Sequence, residues 1–122
     1  MYKEGEIYKV INQQNGKVLA DQLKAATTYK SRSKGLLSRL SLGPGEALLI
    51  VPCASIHTFF MKFSIDVLFL NKNEQVVKIV LNVKPWRLAG CFFGAHMVIE
   101  WKAGALEKDA VFLGNNLIIS KN

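Results

Sequence analysis

Turn-forming residues punctuate this chain so often that a long helix has nowhere to form. Asn15-Gly16, Gly43-Pro44-Gly45, Asn71-Lys72-Asn73, Ala103-Gly104 and Gly114-Asn115-Asn116 cut it into segments of strand length, with turn signals roughly every 8–12 residues. Between them lie runs rich in β-branched and aromatic residues: Ala47–Val51, Ile65–Leu70, Val76–Val83, His96–Trp101, Val111–Leu113 and Leu117–Ile119. Tyr2–Ile11 reads as an edge strand, and Asn15-Gly16 as the hairpin leading into a second strand within Lys17–Ala26. Thr27 or Thr28 can cap a short helix running from Tyr29 to Leu37. The sum predicts an all-β fold with one short helix, a sandwich or small barrel. Parallel pairing is not expected, because the connections look too short for crossovers.

The chain has 122 residues, half of them hydrophobic, enough for a single domain spanning 1–122 but cramped for two cores. No apolar run approaches the ~20 residues of a membrane helix, and no charged-then-apolar leader opens the sequence. The expected location is therefore cytoplasmic. Two cysteines are too few for a disulfide-built scaffold, so apolar packing must hold the fold. The net charge is +7. Lys17, Lys24, Lys30, Arg32, Lys34 and Arg39 cluster against the single acid Asp21, but with only Tyr29 as an aromatic. A nucleic-acid interface would need stacking platforms as well as charge. The segment reads rather as a solvated basic face, with an anionic-surface binder as the alternative. Phosphate-loop, nucleophile-elbow and zinc-protease motifs are all missing from the sequence, and no cofactor is expected.

A few residues invite chemistry. Asp66 is the only acid between Ala47 and Asn73 and interrupts an apolar strand. If that strand is central, its carboxylate needs a partner, and Lys62, Arg87 or loop amides are the candidates. Met61 lies among Phe59, Phe60 and Phe63, a core setting with sulfur–aromatic contacts. Cys53 and His57 form one pair, Cys91 and His96 another. Two thiolates and two imidazoles could ligate zinc, the cysteines could bridge, a Cys–His couple could act as nucleophile, or each residue could be structural. The reading adopted is that no metal is present. Trp86 and Arg87 follow Pro85 in a loop; they form either a recognition patch or a cap on one end of the barrel.

Several blocks, in order, resemble the family of uncharacterised proteins known as DUF192 or UPF0127. Arg32-Ser33-Lys34-Gly35-Leu36-Leu37 is similar to its Arg-x-x-Gly-Leu-Met/Leu helix, and Gly45–Ile50 to its first core strand. Ser55–Leu70, with His57-Thr58, Met61-Lys62-Phe63 and Ile65-Asp66-Val67, resembles its signature. Pro85-Trp86-Arg87, Ala95–Glu100 and Ala103-Gly104 resemble its later blocks. Ser64 stands where the family usually has Pro, and Asn115 where a Gly-Asp pair is usual. The resemblance implies a compact, mostly β fold like a jelly roll, and no accepted reaction.

These observations favour a small binding or accessory module over an enzyme, its ligand a protein or small molecule. The expected site is the concave surface where His57, Met61, Lys62 and Asp66 meet Trp86, Arg87 and the loop to His96. A metal-binding or hydrolytic protein using Cys53, His57, Cys91 and His96 is the alternative.

Overall fold

A computed structural model describes residues 1–90 and 94–122. Among the described residues, nine strands and one helix follow in the order β1 (Ile7–Asn12), β2 (Val18–Ala26), α1 (Tyr29–Lys34), β3 (Glu46–Ile50), β4 (Ser55–His57), β5 (Ile65–Leu70), β6 (Val76–Val83), β7 (Leu88–Gly90), β8 (Met97–Lys102) and β9 (Leu117–Lys121). Seven of them build one curled, half-barrel sheet in the order β6-β5-β8-β3-β2-β1-β9, and β4 pairs with β7 in a separate ribbon. The all-β reading with one short helix is borne out.

The central strands β3, β5 and β8 are buried on both faces, so Ala47–Ile50 and Ile65–Leu70 read as near-continuous apolar runs instead of alternating. Side chains alternate across the sheet. Leu49, Leu68, Leu70, Ile99 and Trp101 pack on one face. Leu48, Ile50, Val67, Phe69 and Val98 pack on the other, with Leu36, Ile56 and Met61 over them.

Several local expectations need correction. The first strand is not at an edge: β1 lies between β2 and β9, paired antiparallel to both. The partner that covers it arrives from the far end of the chain, which no local pattern reports. β2 and β3 pair in parallel, Leu23 opposite Ala47 and Ala26 opposite Ile50. Residues 27–45, with α1 inside them, supply the crossover that the connection was thought too short to make. The helix stops at Lys34 and does not reach Leu37, because Gly35 adopts φ 50°, ψ −125°, a conformation essentially reserved for glycine. Thr28 is its N-cap, accepting from the Ser31 amide. Val111–Leu113 is not a strand: the Asn115 side-chain oxygen accepts from the Phe112 amide and from Asn12 Nδ2, closing a turn there. The short strands β4 and β7 carry too few residues for an alternating pattern.

Candidate functional site

The face of the sheet under α1 holds a cavity of about 420 Å³. It is lined by Arg32 and Lys34 of α1, by the turn at Gly35-Leu36, by Cys53, Ile56 and His57, and by the buried Met61 and Glu100. The end of α1 passes close to Glu100: a β-carbon at Gly35 would lie in ordinary van der Waals contact with Glu100 Oε1, at 4.0 Å.

Glu100 is the cavity's most unusual group. It sits in β8 between Leu48 of β3 and Val67 of β5, on the face shared with Val98. It is only 4% exposed. Its carboxylate has no hydrogen-bond or ion-pair partner among the described residues. Removal from water without a compensating partner disfavours the charged form, and burial pushes the Glu100 carboxyl up to about 7. Arg32 is anchored by its Nη1, which donates to the Pro52 carbonyl at 3.1 Å. Its Nε is buried with no partner among the described residues. Arg32 and Glu100 therefore face one cavity without closing an ion pair within 4.0 Å.

Cys53 is a free thiol lining the same cavity. Its Sγ donates to the Ser55 carbonyl at 3.1 Å. Burial pushes its pKa up, and the Glu100 charge adds to the effect. His57 is exposed at the rim and stacks on Phe59, with ring centres 5.2 Å apart.

The other expected site residues are not gathered here. Asp66 points to the opposite face of the sheet, on the side of Leu68 and Trp101. It is buried, at 2% exposure, and accepts from the amides of Asn82 and Gly104 at 2.9 Å and of Leu106 at 3.4 Å. Loop amides, not Lys62 or Arg87, are its partners. Trp86 and Phe60 stand outside the cavity, their rings 4.6 Å apart and 56% and 70% exposed. Trp86 thus lies open on the surface and does not cap the barrel. The Arg87 and Trp86 amides are pinned by Thr58, whose Oγ1 and carbonyl accept them at 2.9 and 3.0 Å. Lys62 is exposed. His96 lines a separate depression beside Tyr2 and Tyr8, and Cys91 lies outside the described residues. Among the described residues no three metal-binding side chains converge. The basic residues 17–39 are spread over the loop before β2, β2 itself, α1 and the turn after it; Arg39 pairs with Glu46 at 3.0 Å.

Sequence reasoning missed Glu100. The signal that exposed Asp66, a lone acid inside an apolar strand, was equally present in Met97–Trp101. It was masked because Glu100 fits an alternating strand as an outward residue. Burial on both faces of β8 overturns that fit.

The fold and cavity define a small, mostly β domain with a pocket floored by a buried carboxylate. The chain belongs to the DUF192 family, "Uncharacterized ACR", whose model matches residues 10–119. It is 38% identical over 104 residues to a UPF0127 protein of Thermococcus sibiricus, covering 80% of this chain and 66% of that protein. It is 32% identical over 114 residues to one of Pyrococcus furiosus, covering 88% and 95%. The chain thus spans just under two thirds of the first of these relatives and nearly all of the second. Two solved structures share the fold at 19% identity. One is a protein of unknown function from Novosphingobium aromaticivorans, with a TM-score of 0.78, covering 92% of this chain and 83% of that one. The other is described as a putative transcription regulator from Sinorhizobium meliloti, with a TM-score of 0.80, covering 98% of each. Among the described residues no helix is long and apolar enough to cross a membrane.

Proposed function

We propose that the protein is a binding module whose cavity beneath α1 takes a small polar molecule. One observation carries this reading: Glu100 is a buried carboxylate facing an open cavity with no partner among the described residues. Such a group destabilises the fold unless something neutralises or hydrogen-bonds it. A ligand that does so recovers that cost on binding, and a volume of about 420 Å³ falls in the range of small-molecule pockets.

The cavity also holds a thiol, an imidazole and a carboxylate, the ingredients of a hydrolytic reading. The geometry favours binding. A nucleophile needs a lowered pKa and an activating base, whereas the Cys53 thiol is pushed up and spends its proton on Ser55, and His57 stacks on Phe59.

The test is an amide-resolved NMR titration with a library of small polar fragments. Binders should perturb residues 32–37, 53–57 and 100 together. Perturbations confined to the Phe60–Trp86 surface, or none anywhere, would overturn the reading.

A further inference from the structure

Resting on that reading, we infer that the ligand class is a small zwitterion carrying an ammonium and a carboxylate on one short aliphatic frame, as an α-amino acid does. Arg32 and Glu100 line one cavity and stay apart in it. Opposite charges that line one cavity attract each other and close into an ion pair where their side chains reach. Here they do not: no ion pair within 4.0 Å joins them. The guanidinium is anchored instead by its Nη1 bond to the Pro52 carbonyl, and Glu100 is fixed in the middle of the central sheet between Leu48 and Val67.

Each group is left with one unmet requirement. Arg32 spends Nη1 on the Pro52 carbonyl and leaves Nη2 with no acceptor among the described residues, while its Nε is sealed from solvent. Glu100 offers acceptors and finds no donor among them. A molecule lying between the two must present an acceptor, best an anionic one, to Arg32 and donors, best cationic ones, to Glu100. A plain anion satisfies Arg32 and repels Glu100. A plain cation does the reverse.

The remaining surroundings support both ends. Lys34 also lines the cavity and adds positive charge to it. The Cys53 thiol already has its acceptor in Ser55 and does not compete for Glu100. His57 lines the same cavity. Leu36, Leu37, Ile50, Ile56 and Met61 supply apolar walls, which suit a short hydrocarbon side chain and not a second charged group.

Three probes of one carbon skeleton separate the possibilities: 2-aminobutyrate, n-butylamine and butyrate. They are titrated at pH 8 into the intact protein, with binding read from the amide signals of residues 32–37, 53–57 and 100. 2-Aminobutyrate should bind about tenfold more tightly than either single-charge probe, the scale of one charge-assisted hydrogen bond. Glu100→Gln should erase its advantage over butyrate, and Arg32→Met its advantage over butylamine, each variant's amide spectrum serving as the folding control. Equal binding of all three probes, or a preference for butyrate or butylamine, would overturn the ligand class and leave pocket binding standing. If no probe moves these signals, the zwitterion inference falls, and the fragment titration decides whether the pocket reading falls with it.

Discussion

Replacing Glu100 by Gln should stabilise the protein, and should do so only above mildly acidic pH. The glutamine keeps the shape and one acceptor but removes the buried charge. The carboxyl titrates at 4.5 when free and at about 7 in the fold. That difference of ~2.5 pH units, at ~1.4 kcal/mol each, amounts to ~3 kcal/mol. Below pH 4.5 the carboxyl is neutral in both states, and glutamate and glutamine should be nearly equivalent. Between 4.5 and 7 the unfolded chain ionises while the folded one stays protonated, so the wild type loses stability as pH rises. Above 7 both states are ionised and the gap is constant. Urea unfolding of both proteins from pH 4 to pH 8.5 measures it, since all other titrating groups cancel in the difference. Glutamine should gain by about 3 kcal/mol across that range. A gap that stays flat would mean that Glu100 is as well solvated in the fold as in the free chain, and the reasoning about its burial would fail.

Asp66→Ala should cost about 1–3 kcal/mol in the same assay, because the amides of Asn82, Gly104 and Leu106 lose their acceptor; Asp66→Asn should cost less, and a neutral alanine would contradict the structural role. Gly35→Ala should cost about 1–3 kcal/mol, from backbone strain at φ 50°, whereas an unchanged unfolding midpoint would show that the turn relaxes freely. Cys53 should react with iodoacetamide at pH 8 more slowly than a free thiol, because burial raises its pKa. Peptide mapping by mass spectrometry, which scores Cys91 separately, reads that rate, and a rate at or above the free-thiol value would refute it.

Much of the fold was legible because its signals are local. The runs at Ile65–Leu70 and Val76–Val83 coincide with β5 and β6, and Thr28 caps α1 as its side chain allows. What escaped was non-local. The pairing of β1 with β9 joins opposite ends of the chain, and the parallel pairing of β2 with β3 depends on where the crossover lands. The site was legible in part. His57 and Met61 line the cavity, whereas the expected surface set them against Trp86 and Arg87. Asp66 belongs to the other face of the same sheet because one residue of register separates it from Val67. Glu100 carries the same lone-acid signal, but it fits an outward position until β8 is placed between β3 and β5, with apolar neighbours on both sides.

The ionisation of Glu100, and what changes it, is measured most directly by a carbon-13 NMR titration of its side-chain carboxyl, with and without 2-aminobutyrate. Alone, the carboxyl should titrate near 7. With the probe bound, an ammonium held against it should favour the charged form and move the midpoint down. A midpoint in the ordinary carboxylate range, unmoved by the probe, would contradict both the buried floor of the cavity and the ligand proposed to cover it.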